Sequence, residues 1–522
     1  MARRSWFVLG ATIGGLAIAG VAVWLWLTGG GLPWALRTAL DRAGFENIRF
    51  ARAQFANGVL TLEDVALQGV AALRVARIEA TLGAGALRTQ RIERLHLQGV
   101  RGRVMLGGPS AGAIALPPVD ALKVDDIDVE IQSATFAVAL SGAIDAERAS
   151  DGFRIASRDA RLRSLASPAW FVPLRIEATA LWPRAEAPLA LTVKGGDDSG
   201  ALVFSMEGPY ALNAGETKLQ ARLFPLVLID EVRPVELLFP AARGYVEKLS
   251  GTVSGDFIMT GKPGAWNAQG SLVAKQVGVF AQGVGFENID TTLRFDQLFP
   301  PALEKEQTIR IGRAVFALPF EDIVARFKVS RKGVIDLRGL EAKLAQGAVS
   351  ASPLTIDPRR PKGQTTLTVE NVSLSALLQA IDVEGLSGEG KLGGTLPIAA
   401  SADSLRITGG VLAAVGPGRL RYQPKSEADA PADSQMAILR QVLTDFRYTE
   451  LKLSMDGAVG GEQQVTVRLV GANPAFYDGY PVAFTLNVSG ALEAIVRRGV
   501  SAYALPDTLR TTIERLQKEK RK

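Results

Sequence analysis

The sequence predicts a mostly β protein carried on one N-terminal transmembrane helix, with few short helices and a helix at its C-terminal end. Three observations point to it. No charged residue stands between Arg4 and Arg37, and residues 6–27 within that gap are apolar. Most of the remaining chain alternates apolar and polar side chains with period two, the pattern of strands with one dry and one wet face. Gly (54 residues) and Pro (26) punctuate the alternation without a fixed repeat length, so the turns between strands are irregular.

About 20 apolar residues at 1.5 Å rise cover the ~30 Å hydrocarbon core of a bilayer, so residues 6–28 are long enough to span as an anchor. Trp6 at one end and Trp24 and Trp26 at the other stand where interfacial aromatic belts form. Arg3 and Arg4 precede the span and no basic residue follows it closely. The positive-inside rule therefore leaves residues 1–5 cytoplasmic and the bulk of the chain outside, most simply in a bacterial periplasm. A cleaved signal peptide would have a shorter apolar core ending at a small-residue site, whereas this run closes on tryptophans.

Residues 33–45 read as a short helix, with Pro33 at its start, Leu36 and Leu40 one turn apart and Gly44 at its end. Residues 46–422 form the long β body. Ile78, Ala80 and Leu82 face one way there, and Arg77, Glu79 and Thr81 the other. A helix is expected over residues 373–381, opened by a Ser373 cap. Residues 423–436 are polar and Pro-bearing, a mobile insertion. Residues 437–490 hold another helix and a final β-hairpin, in which Leu451, Leu453 and Met455 alternate with polar residues, as do Val482, Phe484, Leu486 and Val488. Residues 491–522 end in a basic amphipathic helix with Leu509, Ile513 and Leu516 as its stripe. The strands of the body could fold as several sandwiches or as one long sheet. At about 13 residues per strand and turn, roughly 34 strands would stack to about 160 Å, and spacing alone does not choose.

Composition excludes several functions. The formal net charge of +6 is concentrated at the ends, with +2 from Arg3 and Arg4 and +3 from residues 506–522. The body is left without the basic excess of a nucleic-acid-binding domain. Zero cysteines remove disulfides, thiol catalysis and thiolate-bound metals. His96 is the only histidine and alternates with Leu95 and Leu97, which places it on a wet strand face. Asp126, Asp128 and Glu130 alternate with Ile127, Val129 and Ile131 and read as a solvated face rather than a calcium loop. Gly388, Gly390 and Gly393 spell G-x-G-x-x-G, but residues 395–401 are too short and irregular for the helix a dinucleotide fold needs. No enzyme and no cofactor is expected. A single apolar span without an ionisable residue inside the membrane cannot build a solute carrier.

Several stretches resemble the AsmA-like superfamily of Gram-negative envelope proteins, in particular its YdbH-like branch. The start (Ala43-Gly44-Phe45, then Leu60-Thr61-Leu62 and Val65) is similar to the beginning of these proteins beyond their anchor. GEGKLGGTLPIAA and ITGGVLAAVGPGRLRY, within residues 386–422, look like their late segment. Asn473-Pro474-Ala475-Phe476-Tyr477-Asp478-Gly479, followed by Pro481 and Val482, is close to their C-terminal signature. The resemblance implies a long, twisted, open β-groove, anchored in the inner membrane, that conducts phospholipids towards the outer membrane. It also implies a small outer-membrane lipoprotein as partner, adding strands at the C-terminal end.

The expected groove lining is the apolar alternation of the last strands: Leu451, Leu453, Met455, Val465, Val467, Leu469, Val482, Phe484, Leu486 and Val488. The turn pairs Asn473-Pro474 and Asp478-Gly479 either serve only the hairpin or help present its edge strand to a partner. An alternative function is an envelope assembly factor or chaperone whose apolar face holds unfolded outer-membrane proteins.

Overall fold

A computed structural model describes residues 49–491, apart from residues 83–91, 106–118, 424–440 and stretches of one to four residues elsewhere. The anchor at residues 6–28 with Trp6, Trp24 and Trp26, the helix at 33–45, nearly all of the polar insertion and the terminal helix therefore lie outside the described residues. Within the described residues no helix is long and apolar enough to cross a membrane. The fold is mostly β, an open sheet with few helical turns.

The chain divides into two compact units, unit 1 within Met1–Gly244 and Ser254–Gly270, and unit 2 within Tyr245–Val253 and Ser271–Lys522. Unit 1 opens with β1 (Arg52–Ala56), β2 (Val59–Leu67), β3 (Ala71–Thr81) and β4 (Ile92–Met105). Next come β5 (Val119–Gln132), β6 (Ala137–Ala149), β7 (Gly152–Ser164) and β8 (Leu174–Trp182). β9 (Leu189–Asp197), β10 (Val203–Tyr210) and β11 (Thr217–Leu228) follow. Each of these pairs with the next in sequence, antiparallel throughout except for the parallel pair β4 and β5.

β12 (Lys248–Lys262) and β13 (Ala265–Ala281) precede β14 (Val284–Phe295), β15 (Leu303–Val315), β16 (Pro319–Val329) and β17 (Ile335–Leu344) in sequence. After them come β18 (Gly347–Ala351), β19 (Leu354–Ile356), β20 (Gly363–Ser373) and the helix α1 (Leu374–Ile381). The last strands are β21 (Leu386–Glu389), β22 (Lys391–Ala400), β23 (Leu405–Ala414), β24 (Gly418–Tyr422), β25 (Phe446–Ala458), β26 (Glu462–Ala472) and β27 (Val482–Ala491). In unit 2 an antiparallel ladder runs from β14 through β17, then β18, β20, β22, β23, β25, β26 and β27. β21 and β24 pair as a short branch on β25. No described pairing returns either ladder to its first strand.

A left-handed residue recurs in mid-strand along both ladders, and at Asp126, Asp322 and Asn371 the register shifts there as at a bulge. Asp64, Asp126, Asn288, Asp322 and Asn371 adopt φ values of 51°, 57°, 55°, 48° and 54° in mid-strand, and Gly99 adopts 68°. Such left-handed residues are costly for most side chains and easiest for Gly, Asn and Asp. Each sits in one local pattern of apolar, polar, left-handed residue, apolar: Leu62-Glu63-Asp64-Val65, Leu97-Gln98-Gly99-Val100, Val124-Asp125-Asp126-Ile127, Phe286-Glu287-Asn288-Ile289, Phe320-Glu321-Asp322-Ile323 and Val369-Glu370-Asn371-Val372. Where the register shifts, the extra residue returns the next apolar side chain to the same face, and such bulges bend the strand and steepen its twist.

The helix begins where the sequence places it. Ser373 Oγ accepts from the Ala376 N–H at 3.3 Å, an N-cap that satisfies one of the free donors of the first turn. Its buried Leu374 and Leu377 join a dry core in unit 2 with Leu392, Phe446, Tyr448, Leu451 and Leu469. Of the G-x-G-x-x-G glycines, Gly388 lies in β21, Gly393 in β22 and Gly390 in the bend between them, and they have packing roles. A Cβ on Gly390 would come within 2.0 Å of Tyr448 Oη, and one on Gly418 within 2.2 Å. Those glycines let Tyr448 lie buried and donate to the Glu389 carbonyl at 2.8 Å.

Candidate functional site

In both units alternation sorts the side chains onto an apolar and a charged face. Strand register then lines the apolar ones into rows. In unit 1, Ile78, Leu97, Val124 and Ile144 face one another in turn across four strands. Ile176, Gly195, Phe204 and Leu223 do the same across β8 to β11. A Cβ on Gly195 would fall 2.4 Å from the Phe204 ring and 2.8 Å from Ile176 Cδ1, so the glycine lets both side chains lie over it. In unit 2, Ile289, Ile311 and Ile323 form one row and Phe286, Ala314, Phe320 and Leu344 another.

These rows are only partly covered. Ile78, Leu97, Ile144, Ile176 and Phe204 in unit 1, and Phe286, Ile289 and Ile311 in unit 2, are half-buried. Fully burying such a side chain gains about 1.5–3 kcal/mol, so each half-exposed one leaves a substantial part of that unrealised. A hydrocarbon chain laid along the rows would recover it.

The charged face has the opposite character. His96 lies between strands on it, its Nε2 2.8 Å from Asp125 Oδ2 and its Nδ1 3.7 Å from Glu79 Oε2. Asp125 also pairs with Lys123 and Arg158 at 2.8 Å, and Arg158 is bonded to Asp145. The Lys123 ammonium above all, then His96 and Arg158, hold the Asp125 carboxyl well below the usual carboxylate range. Asp128 pairs with Arg163, Glu130 with Arg103 and Asp126 with Arg101, so the acidic set singled out in β5 is tied into cross-strand ion pairs. A depression of about 590 Å³ is lined by Arg94, Lys123, Asp145, Glu147 and Arg154 together with Leu122, Ile155, Leu181 and several alanines.

The lining residues read from the sequence are brought together in three rows: Leu451 with Leu469 and Phe484, Leu453 with Val467 and Leu486, and Met455 with Val465 and Val488. Their burial differs along the strand. Leu451 and Leu469 are 4% and 0% exposed, inside the core capped by α1. Leu453, Met455, Val467 and Val482 are partly buried at its margin, and Val465 is half-buried. For Phe484, Leu486 and Val488 only the backbone register lies within the described residues. The half-buried rows centred on Ile176 and Ile289 were not singled out in the sequence, although the alternation that marks them is present in β8 and β14.

The turn motif between β26 and β27 is built on a buried amide. Asn473, 1% exposed, donates through Nδ2 to the carbonyls of Gln441 at 3.0 Å and Val442 at 3.1 Å and to Thr444 Oγ1 at 3.1 Å. Its Oδ1 accepts from the Ala475 N–H at 2.9 Å. Residues 441–443 are helical, so Asn473 satisfies free carbonyls at a helix end from a distant strand. Gly479 takes φ 78° and donates to the Phe476 carbonyl at 3.1 Å. Pro474 and Pro481 are exposed on the turn. Tyr477 and Asp478 lie outside the described residues. Asn473 thus does more than start a turn; it fastens the last hairpin to the segment before β25.

A family model described as YdbH-like, intermembrane phospholipid transport protein YdbH, matches residues 229–514, more than half of the chain. Among curated proteins and among solved structures nothing matches.

Proposed function

The chain belongs to the YdbH-like family of intermembrane phospholipid transport proteins, and from that premise we propose that it moves phospholipid by carrying acyl chains on the apolar faces of its two units. One observation carries the reading: rows of half-buried aliphatic and aromatic side chains backed by a face of ion pairs. A two-chain lipid with about 16 carbons per chain faces roughly 25 kcal/mol against free passage through water, at ~0.8 kcal/mol per methylene. A half-covered apolar strip lowers that barrier. A strip without a polar recognition cluster also lets lipid leave, as transport requires.

The protein is then a carrier, not an enzyme, held in the inner membrane by residues 6–28 with its body in the periplasm. It passes lipid between inner and outer membranes. The backbone of β27, registered against β26, is the edge to which a small lipoprotein partner would add strands. The test is substitution on the apolar face. Ile176→Glu and Ile289→Glu should each abolish lipid transfer between donor and acceptor vesicles while the protein still accumulates. Glu177→Gln and Asp290→Asn, on the charged face, should leave transfer intact. Transfer unchanged by both apolar-face variants would overturn the reading.

A further inference from the structure

One rim of unit 1 differs from the other. At the rim where β7 begins and β8 ends, the large side chains are hidden: Val119, Phe153 and Trp182 are 1%, 2% and 4% exposed and form one cluster. At the opposite rim, where β4 and β7 end and β8 and β10 begin, they are displayed. Of the eight exposed large hydrophobic side chains among the described residues, six belong to this end of unit 1: Met105, Trp170, Val203, Phe224, Val227 and Leu237.

The two loops that carry Trp170 and Leu237 are tied together. Trp170, in the β7–β8 connection, and Leu237, in a 3-10 turn at Val235–Leu237, are 47% and 60% exposed. Val172 N–H donates to the Leu238 carbonyl at 3.0 Å, and Ala241 N–H to the Ala169 carbonyl at 2.9 Å. The Trp170 N–H is held by Ser164 Oγ at 3.2 Å, and Leu238 beneath is 2% exposed. Both side chains are therefore displayed on a braced support. Described charges here are engaged in ion pairs: Arg103, Arg163 and Arg243 pair with Glu130, Asp128 and Glu236 at 2.9–3.4 Å, and Arg161 and Arg175 share Asp198 at 3.1 and 3.2 Å.

We infer that this rim of unit 1 seats in the interfacial layer of a lipid bilayer, with Trp170 and Leu237 inserted. The inference rests on the proposed lipid-transfer role and its membrane anchor. Residues 28–51 join the apolar run to β1 and reach at most about 80 Å when fully extended, so the bilayer is held at high effective concentration. A braced tryptophan beside an aliphatic tip suits the headgroup boundary. With the rim charges paired, the contact depends on apolar burial and is insensitive to salt.

The chain has no native cysteine, which allows single-site labelling of the full-length protein. Leu237→Cys and Asp151→Cys, the latter in the exposed β6–β7 turn at the opposite rim, would each carry an environment-sensitive fluorophore in phosphatidylcholine vesicles doped with nitroxide lipid. The expected result is a blue shift and strong quenching at position 237, retained in high salt, with neither at position 151. Equal quenching at both positions, or quenching lost in high salt, would overturn the inference. A photo-crosslinker at Ile176 reports the transfer role separately. Lipid captured there without quenching at 237 removes the seated rim and leaves the carrier, and quenching without capture does the reverse.

Discussion

Replacing Asn473 tests the most closely worked part of the structure. Its amide meets two main-chain carbonyls, a hydroxyl and a main-chain N–H at 2.9–3.1 Å. Because carbonyls can only accept and the Ala475 N–H can only donate, these partners also settle which amide atom is which. Asn473→Ala strands several buried groups, each costing about 1–3 kcal/mol when unsatisfied. Water recovers part of this, so the expected loss is about 3 kcal/mol. Asn473→Asp is the sharper probe. It preserves shape and the bond from Ala475 but turns the donor into an acceptor facing two carbonyls. At neutral pH it should cost at least as much as the alanine, because a buried carboxylate without a donor is worse than a gap. Acid should restore part of the loss, since the protonated carboxyl regains one donor. The readout is amide hydrogen exchange over residues 441–448, where a loss of about 3 kcal/mol speeds exchange on the order of 100-fold. Exchange in Asn473→Asp equal to that of the native protein at neutral pH would refute the capping role.

Two further outcomes follow from the strand interiors and the charged face. At the bulge, Asp322→Val should destabilise β16 by about 1–2 kcal/mol, because a branched side chain resists φ near 48°. Asp322→Gly should cost less despite losing the Lys343 contact at 2.7 Å, as exposed pairs contribute little; thermal unfolding ranks the two. Asp125 has its folded pKa depressed by Lys123, His96 and Arg158, so its contribution to stability is fully present above the ordinary value of about 3.9. It is lost as pH falls below that value. Asp125→Asn should therefore blunt the loss of stability of unit 1 below pH 4, measured by denaturant titration at each pH.

Much of this architecture was legible in the chain. Period-two alternation marked β3 and β25 because one face of each is wet, and Ser373 announced α1 because a capping hydroxyl has few other uses before an apolar stripe. The glycines at 388, 390 and 393 were separable from a cofactor loop because no helix follows them. The bulges were not anticipated, since alternation read residue by residue treats Asp322 or Asn371 as one more polar position. The signal was the spacing, with aliphatic residues three apart on either side of an Asx. Burial was the other gap. Leu451 and Leu469 share their alternation with Leu453 and Val467, and only the placement of α1 and residues 441–443 over one end of the strands separates core from open face. The partner of Asn473 lies some thirty residues away in sequence, beyond the reach of any local pattern.

The central claim is that acyl chains travel on the half-buried apolar rows. Photo-crosslinkers placed at Ile176 and Ile289, and at their strand neighbours Glu177 and Asp290 on the charged face, test it directly in cells. The account requires phospholipid to be captured at Ile176 and Ile289 and not at Glu177 or Asp290. Equal capture on both faces, or polypeptide in place of lipid on the apolar one, would contradict it.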